Sequence, residues 1–239
     1  MDRGLDILEY VAAAAQPPSF SRLMTDLVIP RSSLFHLLNN LHARDFIVRD
    51  AADRYRLGSS LGRLVRAAPQ PSLGDRVTPF LEQLSRELNE TCGFYVHEGD
   101  TVEVIASAIS TQALSYTMKI GARAPLYAVS AGKIALAELE AAEFNRYLAS
   151  VVLSPATSLT IRSKIRLRRE IQKARATAFA YSHEEFTDGI TAIATAVRPN
   201  GRFAGAINVA VPTVRFTPQR ETEIREALRI AGRAIAASL

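Results

Sequence analysis

The chain has a single cysteine, Cys92. That excludes an intrachain disulfide and any cysteine-built metal cluster, and leaves Cys92 as a small buried hydrophobe. Histidines are scarce as well. His36, His42, His97 and His183 share no ligand spacing with Asp, Glu or Cys, so no zinc site is expected. No apolar run reaches the roughly 18 residues of a membrane-spanning helix. The N-terminus lacks a basic region followed by an apolar core and a small-residue cleavage site, which points to a cytoplasmic address and no membrane partner. No G-x-S-x-G elbow, phosphate-binding loop or G-x-G-x-x-G occurs. No nucleophile can be paired with a base, so neither a catalytic residue nor a cofactor is assigned. Internal repeats and low-complexity tracts are absent too.

What the chain does have is arginine, unevenly placed. A net charge of +5 and a pI near 9.6 suit a polyanion partner without specifying one. Distribution says more. Between residues 22 and 66 stand eight arginines (22, 31, 44, 49, 54, 56, 63, 66) against four aspartates (26, 45, 50, 53), and every cation there is arginine, whose planar fork suits phosphate and guanine edges. A second basic run, 162–175, holds Arg162, Lys164, Arg166, Arg168, Arg169, Lys173 and Arg175 against Glu170 alone. Its apolar spacing (Ile161, Ile165, Ile171, Ala174) makes it a helix with a solvated basic face, since no recognition motif accompanies it; a secondary DNA or partner contact is the alternative.

Residues 30–41, PRSSLFHLLNNL, form a helix that presents a face to something other than its own core. Leu34, Leu37, Leu38 and Leu41 fall on one stripe. Arg31, Ser32, Phe35, His36, Asn39 and Asn40 occupy the other side, and Pro30 suits the first turn. Upstream, Ser19 caps a short helix carrying Phe20, Leu23, Met24 and Leu27, and only Val28 and Ile29 separate Leu27 from Pro30. This is the pattern of a helix-turn-helix, whose second helix enters the major groove. Phe46 and Val48 alternate with Ile47 and Arg49, residues 50–53 turn the chain, and Tyr55 and Leu57 alternate with Arg54 and Arg56, which makes a hairpin wing. The expected partner is double-stranded operator DNA. Arg31, Ser32, Ser33, Phe35, His36 and Asn39 are placed in or beside the groove, with Asn39 or His36 on base edges and Phe35 on a thymine methyl; Arg49, Arg54 and Arg56 hold phosphates.

Elsewhere, Leu5, Ile7, Leu8 and Val11 mark a first helix. Residues 59–67 are helical until Pro69-Gln70-Pro71-Ser72 breaks them into a linker. A helix over 73–89 opens a second domain. Residues 93–97 and 102–108 form a hairpin around Glu98-Gly99-Asp100, and 114–120 is a further strand. Helices follow at 130–139, with Ser130 as cap, and at 141–150. Strands at 190–197 and 203–211 join through Arg198-Pro199-Asn200-Gly201, and a helix over 218–237 closes the chain. Helices segregated around an antiparallel sheet define an α+β class. The domains are 1–58 (winged helix-turn-helix), 59–72 (linker helix and hinge) and 73–239.

DRGLDILEYVAAA, IPRSSLFHLLNNLHARDFIVRD and RYRLGSSL make residues 2–68 resemble the winged helix-turn-helix of the isocitrate-lyase-regulator (IclR) family of bacterial transcription factors. GARAPLYAVSAGKIALAEL, KARATAFAYSHEEF and DGITAIATAVRPNGRFAGAINVAVP resemble that family's effector domain, so the likeness spans nearly the whole chain. Val28 stands where a turn glycine is usual, and Phe35 and His36 where a His and an Arg are common. The resemblance implies a GAF-like second domain that binds a small molecule, and a homodimer through the DNA-binding half, often a homotetramer through the effector domains. Exposed Leu61, Leu64 and Val65 on the 59–67 helix suit such a pairing.

Family pocket positions carry over to Tyr116, Ala124, Ser130, Ala131, Ser182, Ile190, Ala192, Asn208 and Ala210, with His183 adjacent and Tyr127 added to the set. A cysteine is common where Ala192 stands, and serines where Asn208 and Ala210 stand. The small residues 129–132 let a ligand approach the backbone, and the N–H groups opening a helix suit an anion. The expected effector is therefore a small organic acid, aromatic rather than aliphatic. A cytoplasmic enzyme acting on a small organic acid, behind a non-catalytic basic module, is the competing reading; a scaffold without DNA activity would leave the arginine-rich half unexplained.

Overall fold

The computed structural model describes residues 2–67 and 71–239; Pro69 and Gln70 of the expected hinge lie outside them. The chain divides into two compact units, 1–70 and 71–239.

The first unit contains α1 (Asp2–Ala13), α2 (Phe20–Asp26), α3 (Arg31–Ala43), the hairpin β1 (Ile47–Arg49) and β2 (Tyr55–Leu57), and α4 (Ser59–Ala67). Its core is Ile7, Val11, Leu23, Ile29, Leu34, Leu38, Ile47 and Tyr55. Ile7 and Val11 set the inner stripe of α1. Leu5, about 200° around the helix from Ile7, is exposed rather than packed beneath the helix pair. The wing pairs Ile47 with Leu57 and Arg49 with Tyr55, so these four side chains share one face. Ile47 and Tyr55 are buried on it, whereas Phe46 and Val48 are half-buried and Leu57 is exposed where the small core runs out. Gly58 closes the wing onto α3: a Cβ there would lie 2.2 Å from the carbonyl oxygen of Asp45. Beyond it Ser60 hydrogen-bonds the carbonyl of Arg44 and Ser59 the carboxylate of Asp45, which anchors α4 to the end of α3.

In the second unit the Ser72–Asp75 capping box starts α5 (Leu73–Leu88). The six-stranded sheet has the order β5-β4-β3-β8-β7-β6 and every pairing is antiparallel. The strands are β3 (Thr91–Glu98), β4 (Thr101–Ala108), β5 (Arg123–Pro125), β6 (Ala180–His183), β7 (Ile190–Val197) and β8 (Gly205–Pro212). One face packs on α5 and α9 (Pro218–Ser238) through Ile193, Val197, Ile207, Val209, Val211 and their neighbours. The other lies against α6 (Ser130–Glu138), α7 (Ala141–Ser150) and α8 (Lys164–Thr177). A bulge opposite Phe94/Tyr95 leaves Ile105 unpaired. It keeps Val102 and Val104 in the second layer and turns Ala106 into the first.

Four expectations change in this unit. Residues 114–120 form no strand: the Thr91 hydroxyl donates to the Tyr116 carbonyl and Ser107 to that of Met118. The segment is thus bonded to side chains standing on the sheet, where a ladder cannot reach it. Ser130 is the first helical residue of α6 and not its cap; Val129 takes that place without a side-chain bond. In α8 the inner stripe runs through Leu167, Ile171 and Ala174, and Ile165 is exposed. The cations of α8 do more than face solvent. Arg175 donates to the carbonyls of Ala137 and Leu139 at the end of α6, and Lys164 to that of Ala149 in α7. They satisfy helix-terminal carbonyls that have no intrahelical donor. Cys92 is buried, and burial pushes its thiol pKa up.

Candidate functional sites

The first site is the outward face of α3. Leu34 and Leu38 bind the helix to the core, which directs Arg31, Ser32, Phe35, His36 and Asn39 to solvent. Phe35 is 56% exposed, and its ring lies at 72° to that of His36, centroids 6.1 Å apart. The ring shares this face with Arg31, Ser32, His36 and Asn39. Pro30 caps the helix without a side-chain bond, so its first N–H groups remain available to an anion. Ser33 is half-buried, and the Arg31 guanidinium lies 5.8 Å from the centre of the Phe20 ring. On the wing, Arg49 pairs with Asp53 at 2.9 Å and Arg56 with Asp50 at 3.2 Å, while Arg54 donates to the Pro17 carbonyl. Such exposed pairs are worth little, and a phosphate can replace the carboxylates.

The second site is a cavity of about 250 Å³ in the 71–239 unit. Strand alternation creates it. Where Ile193, Val197, Ile207, Val209 and Val211 fill the α5 and α9 face of β7 and β8, the other face brings the small Ala192 and Ala210 to the cavity beside Asn208, and the missing side-chain volume leaves a floor. Tyr95, Val104, Tyr116, Met118 and Ile190 wall it, together with Phe186 and Thr187 from the loop after β6. Lys119 and Arg123 stand at its rim; Arg123 is tied to Glu98 and Glu103, whereas Lys119 forms no ion pair among the described residues. The uncapped N-terminus of α6 reaches the cavity through Val129 and Ser130.

The cavity brings together Tyr116, Ala124, Ser130, Ser182, Ile190, Ala192, Asn208 and Ala210. Three other expected residues lie elsewhere. Tyr127 is buried with its hydroxyl on the Ser154 carbonyl, 2.8 Å away. Ala131 is a core residue of α6, and the neighbouring Gly132 is small because α6 packs on the Leu126 backbone, 2.5 Å from where a Cβ would stand. His183 follows inward-facing Ser182 and so points to the opposite side of the sheet; there it stacks on Tyr181 and meets the edge of Phe216. Sequence reasoning missed Tyr95, Val104, Met118 and Phe186. The alternation of small and large residues in ITAIATAV and GAINVAVP was the signal for the alanine floor.

Polar groups around the cavity divide into satisfied and unsatisfied. Ser182 donates to the Ala128 carbonyl at 2.9 Å, and Tyr95, whose phenol is pushed up by burial, donates to Met118 Sδ at 3.3 Å. Ser130 Oγ and Asn208 Oδ1 are buried without a hydrogen-bond partner. Leaving such atoms unpaired costs about 1–3 kcal/mol each. Below the rim, Lys133 and Glu185 form a buried ion pair with Nζ 2.7 and 2.8 Å from the two carboxylate oxygens and 2.7 Å from the Tyr181 carbonyl. Burial drives Lys133 down and Glu185 up, each opposed by the other's charge. The pair holds the loop that places Phe186 and Thr187 in the wall.

The sequence matches the model of the bacterial transcriptional regulator IclR C-terminal region over residues 67–237, and that of the IclR helix-turn-helix domain over residues 1–51. The chain belongs to the IclR family of transcriptional regulators. The HTH-type transcriptional regulator Rv1719 of Mycobacterium tuberculosis is 32% identical over 227 residues, covering 95% of this chain and 86% of that protein. The HTH-type transcriptional repressor AllR of Klebsiella pneumoniae is 28% identical over 248 residues, 100% of this chain and 89% of that one. Among solved structures, the Thermotoga maritima IclR aligns with a TM-score of 0.66 at 23% identity over 100% and 97% of the two chains. The Agobacterium tumefaciens repressor BlcR aligns with 0.64 at 24% over 100% and 96%; these two likenesses show the fold alone. This IclR-family chain is thus a regulator and not an enzyme, with a helix-turn-helix unit followed by an effector-binding unit. Among the described residues no helix is long and apolar enough to cross a membrane.

Proposed function

We propose that a small aromatic carboxylic acid occupies the cavity of the second unit and alters the affinity of the first for a duplex operator. The observation that carries this reading is the pairing of an apolar alanine floor with the uncapped N-terminus of α6. The floor, of which Ala192 is part, encloses a ring together with Tyr116 and Ile190, and the backbone N–H at the Val129–Ser130 end of α6 receives the carboxylate. A cavity of about 250 Å³ exceeds the ~150 Å³ that admits benzene, leaving space for substituents. Aliphatic acids as short as glyoxylate would leave much of it unfilled.

On the DNA side, Arg31, Ser32, Ser33, Phe35, His36 and Asn39 meet the major groove, with Arg49, Arg54 and Arg56 on flanking phosphates. The chain works as a homodimer or homotetramer, because two copies on a palindrome multiply the few contacts of one small unit. Leu64 on α4 is an exposed apolar side chain placed to pair across a twofold axis. Coupling follows if the acid binds one arrangement of the oligomer more tightly than another. A thermal-shift screen tests the ligand: an acid at 100 times its Kd stabilises by ~2.7 kcal/mol. Stabilisation by glyoxylate or pyruvate and by no benzoate would refute the aromatic assignment. A mobility-shift titration with the chain's own promoter region tests the rest, and absence of any salt-dependent affinity would refute it.

A further inference from the structure

The cations of α8 are uncompensated in a unit that elsewhere pairs its arginines. Outside the 162–175 run, seven arginines of the second unit stand in ion pairs with glutamates, Arg198 with Glu138 and Arg229 with Glu226 among them. Within the run seven cations face Glu170 alone, and none of them forms an ion pair among the described residues. Lys164 and Arg168, like Arg169 and Lys173, are four residues apart, where like charges repel on one helix face. Three of the seven act inside the unit. Lys164 and Arg175 hold carbonyls of α7 and α6, and Arg168 donates to Asn145 and lies 5.5 Å from the centre of the Phe144 ring. These three share one flank of the helix.

Arg166, Arg169 and Lys173 occupy the other flank. Spaced i, i+3 and i+7, they fall within a sector of roughly 60° around the helix. All three are exposed, and their side chains make no hydrogen bond or ion pair among the described residues; Lys173 lies 5.8 Å from the centre of the Tyr181 ring. At about 1.5 Å per residue the row extends over ~10 Å, a length in which one DNA strand carries about three phosphates. A small anion would meet one of these cations, whereas a polyanion meets the row. A bilayer fits less well. Ile165 is the one large apolar side chain exposed on α8, because Leu167, Ile171 and Ala174 are packed in the core, so the helix has no apolar face to sink into lipid. A regulator seated on an operator has duplex at high local concentration. We infer that Arg166, Arg169 and Lys173 form a second, sequence-independent contact to the phosphate backbone of duplex DNA, made by the effector-binding unit itself. The inference rests on the chain's binding of an operator through its first unit.

The test is a mobility-shift titration of the full-length protein at several salt concentrations, on its promoter fragment and on an unrelated duplex of equal length. Arg166→Gln/Arg169→Gln/Lys173→Gln is compared with the native protein and with Arg146→Gln/Arg202→Gln/Arg233→Gln, which removes three charges from exposed positions elsewhere in the second unit. The α8 variant is expected to lower the slope of log affinity against log salt by about 2 to 3, at roughly 0.9 per lost phosphate. It should weaken both duplexes alike, since phosphate contacts carry no sequence. The second variant stays near the native slope, and so does Arg166→Lys/Arg169→Lys, which keeps the charges. An equal fall in the two triple variants reflects net charge alone and overturns the contact. An unchanged slope in the α8 variant overturns it as well and leaves the first unit's operator binding standing; if that variant also loses affinity for phosphatidylserine vesicles, the face belongs to a membrane. No salt-dependent affinity of the native protein for either duplex overturns both readings.

Discussion

Val28 offers a direct test of how the helix-turn-helix is built. Leu27 caps α2, and Val28 follows with φ of +50°, in the left-handed region. Its N–H reaches the Thr25 carbonyl at 3.4 Å, and that of Ile29 reaches Met24 at 3.2 Å. These two bonds are the Schellman arrangement, whose left-handed residue is usually glycine. A β-branched side chain there is a steric outlier costing roughly 1–2 kcal/mol. It gains nothing in return from packing, since Val28 is 81% exposed. Val28→Gly removes the strain and raises the entropy of the unfolded chain, which returns about 0.4–1 kcal/mol. The net expectation is a gain of ~0.5–1 kcal/mol for the first unit, or a few degrees at about 4–8 °C per kcal/mol for a unit of this size. Hydrogen exchange of peptides spanning α2 and α3 in the full-length protein reads this locally. Val28→Ala, which relieves the branching but keeps a Cβ, should fall between the two. If Val28→Gly lowers protection, or Val28→Ala gains as much as glycine, the strain account is wrong.

Arg31→Ala should weaken binding to every duplex and reduce the slope of log affinity against log salt by about 0.9 if one phosphate contact is lost, whereas Asn39→Ala should re-rank operators by ~1–3 kcal/mol at one base pair; a shift titration at several salt concentrations distinguishes the two. Lys133→Met strands the Glu185 carboxylate and should destabilise the second unit by ~3–5 kcal/mol in urea unfolding, with much of the loss recovered in Lys133→Met/Glu185→Leu; an undisturbed single variant would contradict the buried pair. Packing of the His183 ring, and then the Lys133 and Lys173 charges, hold its pKa below the ordinary value against Glu170 and Glu221. The unfolded chain therefore takes up a proton first, and stability contributed above about pH 6.5 is lost as pH falls below it. His183→Gln should flatten that part of the urea-midpoint profile.

Local periodicity was enough to determine most elements. The leucine stripe of residues 34–41, the arginine-rich hairpin and the turn at 198–201 depend on neighbours a few residues apart, so they could be read before any tertiary contact was known. The Val28 departure from glycine was equally visible, because its conformation is set by the turn between two adjacent helices. What the tertiary structure alone decided was which side of an element faces which layer. Ser182 and His183 are adjacent in sequence, yet the strand's alternation sends one into the cavity and the other to the opposite face. Residues 114–120 have strand-like composition, but they cross the sheet where hydroxyls, not a ladder, hold them. Tyr127 and Ala131 lie beside the cavity wall in sequence and behind it in space. Asn208 gives no hint in sequence of an unmet acceptor, because only the pairing of β3, β8 and β7 surrounds it with Gly93 and Ala194.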